Sequence, residues 1–145
     1  MNANRPPMTP KEAKEFTKLY SKLNKEIIAI LNAATTMEQA KEGLEMMRGM
    51  AGYDLPQAKT MYGLALIMEG KPWYDMKKGL EWMKKGAEEA VTHDHGASFC
   101  MYQLGLFLLD GLQGVPADPI TGKYWIEKAA AAGHKEAKKE LRKRW

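Results

Sequence analysis

Apolar residues recur at helical spacing along almost the whole chain. Phe16, Leu19, Leu23, Ile27, Ile30 and Ala34 follow one another at intervals of three and four, which marks one face of an α-helix. They follow Thr9-Pro10-Lys11-Glu12, which has the form of a capping box. Thr9 is the N-cap, Pro10 takes the first helical position and Glu12 reaches back. The spacing predicts a long amphipathic helix over 10–33. Thr35 with Glu38, or Thr36 with Gln39, caps a second helix whose stripe is Ala40, Leu44, Met47 and Ala51. Asp54, with Pro56 just after it, opens a third, "PQAKTMYGLALIMEG", which Gly70 and Pro72 stop. Further helices are expected over about 75–90, 97–110, 118–132 and 134–144. Sustained period-two alternation and Asn-Gly hairpin signals are missing, so the expected fold class is all-α. The first eight residues, "MNANRPPM", are expected to be flexible, and 9–145 reads as a single domain.

Short connections between consecutive helices imply antiparallel hairpins, and the hairpins repeat. "GLEMMRGMA" (43–51) superposes on "GLEWMKKGA" (79–87) without a gap, and both match "GKYWIEKAA" (122–130). Met46, Trp82 and Trp125 are then equivalent. In the other half of the unit, "AKTMYGLAL" (58–66) matches "CMYQLGLFL" (100–108), which places Gly63 on Gly105. The step from Gly43 to Gly79 is 36 residues and the step from Gly79 to Gly122 is 43; most of the excess lies in "EEAVTHDHGASF", between Ala87 and Cys100. A single helical hairpin cannot bury its apolar face, so such units stack into a solenoid. Gly63 and Gly105 fall mid-helix, where glycine costs about 1 kcal/mol against alanine. A neighbouring backbone passing close by would account for both. Ala129 and Ala130 allow close approach on the partner helix, and Trp125 fills the larger gap between hairpins.

Residues 100–137 carry Cys100, Leu104-Gly105, Gly111, Gly114-Val115, Asp118, Trp125, Ala129-Ala130, Gly133-His134 and Ala137. This order resembles the Sel1-like repeat family, relatives of the tetratricopeptide repeat. Residues 58–87 hold a weaker copy, with Tyr62-Gly63, Asp75, Trp82 and Ala87, and 43–58 resemble a further half-repeat. The resemblance implies a right-handed superhelix of antiparallel helical hairpins, about three of them (9–52, 54–92 and 97–133), closed by a helix over 134–144. It also implies a concave face used for protein–protein contact and no catalysis, as in an adaptor, a scaffold or a toxin-neutralising immunity protein. A cysteine-rich branch with a disulfide in each repeat is linked to β-lactam binding; the single cysteine here departs from that branch.

If tetratricopeptide geometry transfers, the first helix of each hairpin lines the concave face. The residues flanking the Leu-Gly pair then form the binding surface: Thr60, Met61, Leu64, Ile67 and Met68 from the third helix, and Phe99, Tyr102, Gln103, Leu106, Leu109 and Asp110 from the fifth. This surface is apolar and rich in methionine, which suits a peptide or a partner helix. The long first helix is a candidate cover for it.

Composition narrows the picture further. At 145 residues the chain is long enough for one continuous core. No apolar run approaches the roughly 20 residues of a membrane span, and no apolar signal segment opens the chain, so the expectation is a cytoplasmic protein without membrane insertion. The net charge of +4 is concentrated in the tail "HKEAKKELRKRW". No nucleic-acid reader motif accompanies it, so a solvated helix face is expected and no nucleic acid. Cys100 lies in an apolar helical context and reads as a small buried hydrophobe. His93-Asp94-His95, with His134 as a distant third ligand, is the one possible metal arrangement, but metal sites need three or four converging ligands. Glu88, Glu89, Asp94 and His95 offer acid–base groups without fixed geometry. No nucleophile motif, phosphate loop or dinucleotide turn is visible. The expectation is therefore a non-catalytic interaction module without cofactor or metal, monomeric or weakly self-associating, that binds a protein or peptide. The alternative is an enzyme or a small-molecule or metal binder at the His93–His95 insertion.

Overall fold

The computed structural model describes residues 9–52, 55–92 and 97–145. The first eight residues, Asp54 and the His93–His95 segment, each given a role above, lie outside the described residues. Among the described residues seven α-helices follow one another: α1 (Pro10–Ala33), α2 (Met37–Ala51), α3 (Pro56–Leu66), α4 (Met76–Ala90), α5 (Ser98–Asp110), α6 (Pro119–Ala131) and α7 (Lys135–Arg144). No strand occurs among the described residues. Each helix packs on the next, and the odd-numbered helices also adjoin, α1 on α3 and α3 on α5. The result is an α/α solenoid whose inner layer is α1, α3 and α5.

The termini of the helices follow the polar signals in the sequence. Thr9 accepts from the Glu12 amide at 3.2 Å while the Glu12 carboxylate accepts from the Thr9 amide at 3.1 Å, a closed capping box. Thr36, rather than Thr35, caps α2, and Gln39 reaches back past it to the Thr35 amide at 2.8 Å. Asp75 and Asp118 cap α4 and α6 in equivalent ways. His134 caps α7, its Nδ1 accepting from the Ala137 amide at 3.2 Å. α3 ends at Leu66, short of the Gly70 expected. The Trp73 indole donates to Ala65 O at 2.9 Å and the Asp75 amide donates to Leu66 O at 2.7 Å, so the turn takes carbonyls that a longer helix would have used.

The hairpins close on pairs of glycines. A Cβ on Gly63 would stand 2.6 Å from Gly79 O, and one on Gly122 would stand 2.6 Å from Leu109 N and 3.0 Å from Gly105 O. Backbone meets backbone at both crossings, which explains the mid-helix glycines. Their counterparts are Gly79 and Gly122; Ala129 and Ala130 are buried elsewhere along α6. Trp125 is half-buried against the larger of two core clusters, which unites α4, α5 and α6. The smaller cluster joins α1 and α2 to α3.

The buried face of α1 departs from the expected stripe. Tyr20, Asn24, Ile27, Leu31 and Ala34 face inward, whereas Phe16, Leu19 and Ile30 are exposed. The α2 surface decides this. A Cβ on Gly43 would lie 3.2 Å from Ile27 and 3.8 Å from Leu31, so the absence of a side chain at Gly43 seats those two residues.

Polar ties join the units along one edge. Lys71, between α3 and α4, donates to Asn32 O at 2.8 Å and Ala34 O at 2.7 Å, closing the C-terminus of α1 with a cation. Gln113, between α5 and α6, accepts from the Glu69 amide at 2.9 Å through its side chain and from the Tyr74 hydroxyl at 2.6 Å through its carbonyl. Gln113 holds φ 53, a left-handed conformation that turns its carbonyl to Tyr74.

Candidate functional site: the inner face of the solenoid

The inner layer leaves two openings. The larger is a groove of about 1390 Å³ between α1 and the beginnings of α3 and α5. Tyr20, Asn24 and Ile28 line it from α1, and Leu55, Gln57, Met61 and Phe99 from the other side. Phe16 stacks on Tyr20 with ring centroids 6.2 Å apart, so the groove has an aromatic wall. Lys14, Lys18 and Lys25 stand exposed along it, with Glu15 the single carboxylate among the described lining residues. Burial pushes the Tyr20 phenol up to about 12. Asn24 is only 5% exposed and its Oδ1 has no hydrogen-bond partner. The Asn24 side chain hydrogen-bonds to Tyr20, and a buried acceptor left without a donor costs about 1–3 kcal/mol. The second opening, about 380 Å³, lies where α1, α3 and α5 end and is lined by Leu64, Met68, Lys71, Phe107 and Gln113 among others. The long first helix therefore walls the inner face rather than filling it.

The expected partner residues divide into three groups. Met61 and Phe99 border the groove, and Leu64, Ile67 and Met68 the smaller opening. Tyr102, Gln103, Leu106 and Leu109 are half-buried on α5 and line neither. Thr60, Ile67 and Asp110 are instead each engaged within the fold. Thr60 is fully buried, packed against Gly86 of α4. Ile67 is 1% exposed, its side chain occupying the space above Gly79. Both sit where a glycine on α4 draws the hairpin tight. Asp110 is engaged by Arg144, which binds it through two nitrogens at 2.7 and 2.8 Å. That guanidinium holds the Asp110 carboxyl below its usual range. Glu140 adds a contact to the same arginine at 2.7 Å, so α7 is fastened to the end of α5. At the other end of α7, the His134 ring stacks on Tyr102 at 4.4 Å. Burial lowers the His134 pKa, which suits an imidazole whose Nδ1 must stay unprotonated to accept.

The polar groups outside the inner face are accounted for by packing. Cys100 is fully buried, and burial pushes its thiol up to about 11. Lys59, itself nearly buried, pairs with Glu89 at 2.9 Å. Among the described residues no three His, Cys, Asp or Glu side chains converge as a metal site would require. None of the described helices is long and apolar enough to cross a membrane.

Tyr20, Asn24 and Gln57 were missed by sequence reasoning. Asn24 and Gln57 are polar residues within apolar helical patterns. A polar residue on the buried face of an otherwise amphipathic helix was the signal that could have found Asn24.

A solenoid of helical hairpins with an open, partly apolar inner groove defines a class of interaction scaffold. Two Sel1 repeats match the chain, at residues 56–91 and 98–134, covering the α3–α4 and α5–α6 hairpins, and the chain belongs to the Sel1 repeat family. It is similar to the crystal structure of a Sel1 repeat protein from Oxalobacter formigenes, with 28% identity over 86% of this chain and 88% of that one and a TM-score of 0.57. No curated protein matches it in sequence. Sel1 repeats generally mediate protein–protein interaction and are generally non-catalytic.

Proposed function

We propose that residues 9–145 act as one module that binds a protein or peptide through the inner face of the solenoid and performs no chemistry, as an adaptor, scaffold or toxin-neutralising immunity protein does. The observation that carries this reading is the open groove of about 1390 Å³ on the inner layer of a Sel1 repeat fold. The contact residues are Met61, Leu64, Met68 and Phe99 beside the two openings, continued along α5 by Tyr102, Gln103, Leu106 and Leu109. All eight are half-buried. Each has a foothold in the fold and a remaining surface for a partner, the arrangement that concentrates binding energy in a few anchors. Methionine at two positions lets the face adapt to the shape of its ligand.

The test is an affinity pull-down followed by titration of the recovered partner against Tyr102→Ala and Leu106→Glu. Both variants are expected to keep the helical circular-dichroism spectrum and to bind at least tenfold more weakly. Wild-type affinity in both would remove the inner face as the binding surface.

A further inference from the structure

Four features of the groove converge on one kind of occupant. The first is charge. Lys14, Lys18 and Lys25 are exposed along the α1 wall, and Glu15 is the one carboxylate among the described lining residues. The second is spacing. Lys14 and Lys18 are one helical turn apart, roughly 6 Å along the axis, close to the roughly 7 Å between alternate residues of an extended chain. The third is the floor. Tyr20, Met61 and Phe99 offer apolar and aromatic surface between the lysines and α5. The fourth is Asn24, whose buried Oδ1 borders the groove and meets no donor. A helical ligand uses its interior backbone N–H groups internally. An extended segment keeps them free, and such an N–H is what Asn24 lacks.

We propose that the α1–α3–α5 groove holds an extended, acidic segment of a partner protein, with alternate carboxylates on Lys14 and Lys18, apolar side chains on the Tyr20–Phe99 floor and a backbone N–H on Asn24 Oδ1. The proposal rests on the partner-binding reading above and assigns it a ligand chemistry and a location. It also gives α1 a purpose beyond closing the N-terminal end of the solenoid: α1 supplies the recognition charges.

The experiment uses the full chain and fluorescein-labelled decapeptides read by anisotropy. One probe alternates glutamate with leucine and phenylalanine. A second has the same composition reordered so that its glutamates share a face only in a helix. A third replaces every glutamate of the first with lysine. The alternating acidic peptide is expected to bind, weakening as salt rises, with the lysine analogue at least tenfold weaker. Lys14→Glu combined with Lys18→Glu is expected to lower its affinity at least tenfold. Asn24→Leu is expected to lower it at least fivefold while the helical circular-dichroism spectrum and the affinity of the lysine analogue stay unchanged. That combination separates a recognition role from a structural one. No binding of the acidic peptide, equal binding of the lysine analogue, or tighter binding of the helix-patterned peptide or of a labelled single-stranded oligonucleotide overturns the proposal. So does wild-type affinity in either variant. If a recovered partner is lost with Tyr102→Ala and Leu106→Glu but kept with the lysine reversals, the inner-face reading stands and this one falls.

Discussion

The α3–α4 and α5–α6 hairpins are copies of one unit with backbone close to backbone at both crossings, yet Gly63 and Gly105 meet different first neighbours. In α3–α4 the crossing is backbone on backbone at its centre. A Cβ on Gly63 would meet Gly79 O at 2.6 Å, the Met83 side chain at 2.7 Å and the Met83 amide nitrogen at 3.0 Å. In α5–α6 a Cβ on Gly105 would first meet the end of the Ile126 side chain at 2.8 Å, with Gly122 O further off at 3.0 Å. Side-chain tips can move and carbonyls within a helix cannot. The repeat thus preserves the position of the crossing but not its tolerance. A second contrast concerns their neighbours. α3–α4 is tied to α1 through Lys71 and to the following loop through Tyr74. α5–α6 is followed by α7, which is held by the Asp110–Arg144 pair and the His134 cap.

The largest expected effect breaks the contrast between crossings. Gly63→Ala is expected to destabilise by about 3 kcal/mol, since overpacking outweighs the roughly 1 kcal/mol gained in helix propensity. Gly105→Ala is expected to cost about 1 kcal/mol, with Ile126 repacking. Urea denaturation of both variants measures the difference, and equal losses would mean that the two crossings are equally rigid. Next comes the tie to α1. Lys71→Met removes two charge-assisted hydrogen bonds to the last carbonyls of α1 and is expected to cost about 1–2 kcal/mol, with faster amide exchange confined to α1 and α2. Tyr74→Phe, which deletes one hydroxyl from the loop-to-loop contact, is expected to cost about 1 kcal/mol, seen as a lower denaturation midpoint at unchanged slope.

The smallest effect is a pH dependence at α7. The His134 pKa is lowered by burial from its ordinary 6.5. The unfolded chain therefore binds the proton at a pH where the folded chain does not. The contribution of the cap is full above about 6.5 and is lost as pH falls through the lower folded value. A falling protection factor of the Ala137 amide as pH drops below the ordinary histidine value, absent in His134→Asn, would report it.

These contrasts indicate which parts of the molecule were written locally. The capping box of Thr9 and Glu12 and the superposition of "GLEWMKKGA" on "GKYWIEKAA" depend on neighbours in sequence, and both were legible. The same superposition contained the glycine crossing, because Gly79 and Gly122 align; their facing of Gly63 and Gly105 only emerges in three dimensions. The α1 stripe was misjudged because Leu19 and Ile30 satisfy helical periodicity as well as Tyr20 and Leu31 do, and only the gap at Gly43 distinguishes them. Thr60 and Ile67 were assigned to the surface for a related reason. A residue of the inner helix is buried or open according to the size of the side chain opposite it on the outer one. The engagement of Asp110 by Arg144 spans 34 positions and left no local trace. In the candidate site, Met61 and Phe99 were expected from tetratricopeptide geometry, whereas Asn24, a polar residue on a buried helix face, was passed over.

The ties made by Lys71 and Gln113 lie on one edge, where the inner helices end. They work as the spine of a book whose pages are the hairpins. Rotation about that line changes the spacing least at the spine and most at the fore-edge, where the groove between α1 and Phe99 opens. A small change in the angle between hairpins therefore becomes a larger change in groove width, with the spine bonds kept. Ligand size would be accommodated as curvature of the whole solenoid rather than as local rearrangement of its walls.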